Sequence, residues 1–180
     1  DLSGWTATGR AFDDQPIRGD TVSARGREAS LHRGAWWLGG YEKHGDAPTG
    51  TLTSKPFRCD RPWMSFLVGG GGARSTRVEV VLAGEDRVLF TTSGANYESM
   101  QRVVVDLRAV VGKDVFLRLV DDATGGWGHL NFDDVRFHAE KPDFARPKGV
   151  PAILPLDAVA HAGLAPKDAV KAMTTRDGFH

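Results

Sequence analysis

Between Gly50 and Phe137 the chain is a succession of short apolar runs separated by turn residues. Thr76 to Ala83 alternates most cleanly. Val78, Val80 and Leu82 share one face, and Arg77 and Glu79 the other. That period of two predicts a half-buried strand. Gly84, Glu85 and Asp86 form a turn, and Arg87 to Thr92 returns as the second arm of a hairpin. Val115 to Asp121 alternates in the same way, with Val115, Leu117 and Leu119 on one side. Gly50 to Phe57, the apolar run Trp63 to Val68, the β-branched run Gln101 to Leu107 and the aromatic run Ala35 to Tyr41 add further strands. A last strand follows Gly125 to His129. Glu42 to Thr49, the four glycines Gly69 to Gly72, and Ser93 to Met100 are expected to be loops. Asp1 to Arg33 keeps no sustained period and reads as a wrapping segment with about one short strand. About eight strands of 4 to 8 residues, with no convincing helix before residue 140, predict an all-β antiparallel sandwich, and eight strands suit a jelly roll.

The pattern changes after Ala139. Pro142, Pro147, Pro151 and Pro155 mark a linker or an extended wrap. One helix is predicted over Pro166 to Met173, where Pro stands near the start and Asp168 in the first turn. The expected organisation is a β-sandwich over residues 1–140 and a Pro-rich linker with a short helix over 141–180. The abrupt start at Asp1 and the end at His180 are those expected of a fragment that leads into a further domain.

Composition narrows the functional classes. Lys plus Arg and Asp plus Glu number 23 each in 180 residues, a balance that argues against nucleic-acid or polybasic membrane binding. No apolar run approaches a membrane span, so no membrane insertion is expected. The single cysteine, Cys59, permits no internal disulfide and no zinc spacing. Nucleophile and metalloprotease motifs are absent. Glu98 and Asp122 can be paired on paper as glycosidase carboxylates, but no spacing supports that geometry. The chain is therefore not expected to be an enzyme.

Three features depart from structural patterning. Asp133 shares strand parity with Val135 and Phe137, whereas Leu130 and Phe132 have the opposite parity. A bulge near Asp133-Asp134 would reconcile the two halves. A carboxylate on an apolar face needs a partner, either a calcium ion or backbone N–H groups. Asp121 and Asp122 end a strand, and either bind sugar hydroxyls or metal or form a solvated strand end. Trp127 stands between glycines without apolar neighbours, so it either stacks on a flat ligand or lids the sandwich. His129 and Arg74 are weaker candidates for polar contacts.

Trp5 to Phe12, Gly50 to Ser54, Ser65 to Gly71 and Gly125 to Asp134 together resemble the galactose-binding-domain-like jelly rolls. More narrowly, they are similar to modules found beside levanase-type glycoside hydrolases and in exported planctomycete-type proteins that carry c-type haem domains. The resemblance covers roughly residues 1 to 140 and is most specific over Gly125 to His129. It implies a non-catalytic carbohydrate-binding module of an extracellular or periplasmic protein, with a structural calcium for which Asp133 matches the strand-borne ligand. The family usually has a further acidic residue just ahead of this chain's start. Ala169 to Phe179 is similar to the lead-in of a propeller domain, so a downstream domain of the same polypeptide is an expected partner. Any haem site would lie in that domain, and no haem is expected in this chain. A polysaccharide or glycan is the expected ligand. The turns expected to meet at one end carry Tyr41, Glu42, Arg74, Asn96, Glu98, Asp122, Trp127 and His129. The alternative is a structural domain that positions a neighbouring enzyme or haem domain.

Overall fold

The computed structural model describes residues 2–153 and 156. The elements run β1 (Trp5–Gly9), β2 (Ile17–Arg18), α1 (Thr21–Ala24), β3 (Trp36–Gly39), α2 (Tyr41–His44), β4 (Gly50–Ser54), β5 (Phe57–Arg58) and β6 (Trp63–Gly70). They continue with β7 (Thr76–Leu82), β8 (Arg87–Thr92), β9 (Tyr97–Asp106), a 3-10 turn (Arg108–Val110), β10 (Asp114–Asp121) and β11 (Leu130–His138). Two antiparallel sheets face each other. One is ordered β1-β4-β10-β7-β8, with β5 also on β10, and the other β2-β3-β11-β6-β9. The expected all-β sandwich is the fold observed.

Alternation sets the register. Val78, Val80 and Leu82 of β7 and Val115, Leu117 and Leu119 of β10 enter the main core from one sheet. Met64, Phe66 and Val68 of β6 with Leu130 and Phe132 of β11 enter it from the other. On the outer face of the second sheet lies a smaller cluster of Ile17, Val22, Trp37, Leu67 and Met100. Residues 19–33 cross this face, but Asp1 to Arg33 is not only a wrapping segment with one short strand: it supplies β1 to one sheet, β2 to the other, and α1.

The hairpin β7–β8 and strand β10 stand where alternation put them. So does the bulge: the β11–β6 register shifts between Asp133 and Arg136, and Asp134 takes φ 51°. The bulge returns Val135 to the core but leaves Phe137 exposed, edge-on to Phe57, rather than facing inward as expected. Asp133 consequently lies on the outer face with Asn131.

Other expectations need correction. Ser93 to Met100 is not all loop, because β9 begins at Tyr97. Gly69 and Gly70 belong to β6, so the four glycines are not one loop. A Cβ at Gly71 would meet Trp127 O at 2.2 Å and Thr76 Oγ1 at 2.3 Å, which gives the run a packing reason. The aromatic strand stops at Gly39, and the supposed loop after it opens with α2. Glu79, on the face of β7 opposite Val78 and Val80, is buried between Arg77 and Arg118, at 2.6 and 2.7 Å. Among the described residues eleven strands replace about eight, two of them only two residues long, and two four-residue helices precede residue 140.

Residues 139–153 form no strand or helix and lie along the sandwich. Val150 is buried, and Gln101 Nε2 donates to Pro151 O at 2.5 Å. The predicted helix over Pro166 to Met173 lies outside the described residues. Among the described residues no helix is long and apolar enough to cross a membrane.

Leu119 is fully buried between the sheets, whereas Val111 is about half exposed. Leu119→Ala should cost about 3 kcal/mol in urea denaturation. Val111→Ala should stay within about 0.5 kcal/mol.

Candidate functional site

At one end of the second sheet a hollow of about 220 Å³ is lined by Arg25, Arg27, Tyr41, Asp46, Glu98, Gly126, Trp127 and His129. Its floor is the buried pair Glu98 and His129, each 2% exposed. His129 leads into β11 and Glu98 lies near the start of β9, so antiparallel neighbours of β6 deliver both side chains to one face. His129 Nδ1 is 2.6 Å from Asp46 Oδ1. Its Nε2 is 3.4 Å from Glu98 Oε2, an ion-pair distance without hydrogen-bond alignment. Asn131 Nδ2 donates to Glu98 Oε2 at 3.0 Å. Arg25 donates to Glu98 Oε1 at 2.7 Å and to Glu42 Oε1 at 2.8 Å, and its guanidinium lies 4.5 Å from the centre of the Tyr41 ring.

These contacts set the charges. Burial pushes the Glu98 carboxyl upward, but His129, Arg25 and Asn131 outweigh it and hold the pKa at about 2. Burial pushes the His129 imidazole downward, and the carboxylates of Glu98 and Asp46 more than reverse this, raising its pKa. Asp121 behaves oppositely. Burial pushes it up to about 7, only partly opposed by the Ala123 backbone N–H and the charge on His129.

Trp127 is half-buried and takes φ 65°, an uncommon backbone conformation for a residue with a side chain. Its ring stacks on His129, with centroids 5.6 Å apart, and the Arg27 guanidinium lies 5.5 Å from the ring centre. The hollow thus combines an indole backed by an imidazole with a phenol edge, two guanidinium groups and two carboxylates. Such a set can stack on an apolar ring face and hydrogen-bond hydroxyls around it.

Of the residues expected to meet, Tyr41, Glu98, Trp127 and His129 line this hollow, and Glu42 supports it through Arg25. Arg74, Asn96 and Asp122 do not line it. Arg74 donates to Leu156 O, Asn96 Oδ1 accepts from Gly72 N, and Asp122 N–H donates to Ser75 O. These contacts hold the adjoining loops together. Arg25, Arg27 and Asp46 were missed, because charged residues in aperiodic segments carry no sequence signal that separates them from a solvated surface.

Asp133 lies elsewhere, beside a hollow of about 210 Å³ that includes Leu2, Trp5, Trp36 and Phe132. Its Oδ2 accepts the Arg33 backbone N–H at 2.7 Å. Calcium takes six to eight oxygens. Among the described residues no three His, Cys, Asp or Glu side chains gather to hold a metal, and the neighbouring Asp134 is occupied by Arg102 and Arg136. The side chains present at Asp133 therefore do not by themselves form a calcium cage.

No family model matches the chain. A putative glycosyl hydrolase, ecdE, of Aspergillus rugulosus is 32% identical over 135 residues, 74% of this chain. The chain spans only 18% of that relative's length. Similar solved structures include carbohydrate-binding modules and an adhesin domain of Lys-gingipain. A family 6 module of Clostridium stercorarium solved with cellobiose has a TM-score of 0.43 at 14% identity, covering 75% of this chain and 87% of that one. A family 61 module, TmCBM61, solved with β-1,4-galactotriose gives 0.47 at 14% identity, covering 78% and 91%. A family 35 module from an environmental isolate gives 0.40 at 15% identity, covering 84% and 90%.

The ordinary carboxyl value of Asp121 is 3.8 and its folded value is about 7. A raised acid favours the fold below the unfolded value, and that contribution is lost as pH rises through the folded one. Melting temperatures measured from pH 4 to 7.5 should therefore fall less steeply in Asp121→Asn than in the parent chain.

Proposed function

We propose that the chain is a non-catalytic carbohydrate-binding module of a larger exported protein, and that a glycan docks at the Trp127 hollow. The observation that carries this reading is the placement of Trp127. Its indole is held by a left-handed backbone residue, backed by His129, and ringed by Arg25, Arg27 and Asp46. An apolar ring face surrounded by charged hydrogen-bonding groups suits a sugar, which offers apolar C–H faces and peripheral hydroxyls. Glu98 is less suited to proton transfer than to scaffolding, since Arg25, His129 and Asn131 hold it ionised. Kinship with a putative glycosyl hydrolase several times longer supports a module appended to carbohydrate-active machinery.

Calorimetric titration or a glycan array, run with calcium present, tests the reading. A polysaccharide ligand should be found, and Trp127→Ala should weaken it roughly tenfold, the scale of one lost stacking contact. Absence of binding to every polysaccharide would remove the glycan reading and favour a domain that positions its neighbours.

Calcium at Asp133 is a separate proposal. It is supported by a half-buried carboxylate that makes no ion pair among the described residues. A bound structural ion stabilises the fold by mass action, so chelator should lower the melting temperature. An unchanged melting temperature removes the metal.

A further inference from the structure

A larger hollow, of about 500 Å³, opens on the same outer face, between residues 31–33 and the segment that carries Phe144 and Pro147. Its floor is apolar: Leu67 and Met100 are buried there. Leu31 stands at the rim, 41% exposed and at φ 58°. A bulky residue in the left-handed region marks a backbone held by its surroundings, and such positions gather at binding sites. Phe144, also exposed, forms part of the opposite wall.

The remaining lining is cationic. Arg33, Arg102 and Arg136 all border the hollow. The bulge in β11 turns Asp134 between two of them. Its carboxylate pairs with Arg102 and, at 2.9 Å, with Arg136. Arg102 is only 8% exposed along its side chain and also donates from Nη1 to Asp134 O. Two of its five N–H groups are thereby used. The Arg33 guanidinium makes no hydrogen bond or ion pair among the described residues; only its backbone N–H is engaged, by Asp133. Three guanidinium groups thus meet one paired carboxylate, leaving positive charge over a greasy floor.

We propose that this hollow is a second binding site, for a small organic carboxylate with an apolar body. The anionic end meets Arg33 and Arg102, and the body lies on Leu67 and Met100 between Leu31 and Phe144. A bare inorganic anion would leave the floor unused, and an uncharged apolar molecule would leave the arginines unpaired. Its volume lies within the ordinary range of small-molecule sites. The site is separate from the Trp127 hollow and does not depend on the glycan reading.

The 180-residue chain, labelled with nitrogen-15, can be titrated with benzoate and followed by amide shifts. Saturable shifts are expected at residues 31–33 and 100–102. Benzyl alcohol has the same body without the charge, and sulfate has charge without the body. Each should bind about tenfold more weakly or not at all, the scale of losing one charge-assisted contact set. Arg33→Ala should weaken benzoate about tenfold while leaving the melting temperature and any glycan affinity at Trp127 unchanged. The proposal is overturned if benzoate gives no saturable shifts there, if benzyl alcohol or sulfate binds equally well, or if Arg33→Ala changes nothing.

Discussion

The buried carboxylate of Glu98 is the interaction on which the rest of this end of the molecule depends. An ionised carboxylate removed from water is tolerated only when its oxygens are paired. Here the partners come from distant stretches: Arg25 from the N-terminal wrap, and His129 and Asn131 from the closing strand. The backbone beside it is tied to the same wrap. Glu98 N–H donates to Glu28 Oε1, Ser99 Oγ to Ala29 O, and Met100 N–H to Ser30 O. The charge therefore does more than sit in a site. It fastens residues 25–30 to the open edge of β9, and that fastening brings Arg25 and Arg27 beside Trp127. A neutral residue at position 98 would leave Arg25 and His129 without their shared counter-charge.

This dependence explains what could and could not be read from the residues in order. Strands whose two faces differ in polarity declare themselves, as β7, β8 and β10 did. The parity conflict between Phe132 and Val135 was likewise local, and it located the bulge. A charged residue next to Asn96 and Tyr97 reads locally as part of a polar loop, yet Glu98 is buried in β9. Its partners stand up to 73 positions away, beyond any local pattern. Glu79 is wedged between Arg77 and Arg118, and the partner 39 positions away on β10 likewise leaves no local trace.

The candidate site divides along the same line. Trp127 and His129 were legible because a tryptophan among glycines has no structural excuse. Tyr41 was found as an aromatic at a strand end, although it opens a helical turn. Arg74, Asn96 and Asp122 looked equivalent to these, being polar groups on turns. Their loops are instead knitted to each other, as in the Asn96–Gly72 and Asp122–Ser75 contacts. Asp46 was invisible as a histidine partner because 83 residues separate it from His129.

One strand underlies both hollows. Glu98 belongs to the floor of the first and Arg102 to the wall of the second. Between them the ladder to β6 is irregular: Val68 pairs with Gln101 but Gly70 with Tyr97, so an advance of two residues on β6 meets four on β9. An irregularity of this kind bends its strand and re-aims the side chains beside it. It stands between the two hollows, so a substitution that straightened β9 there would disturb both at once.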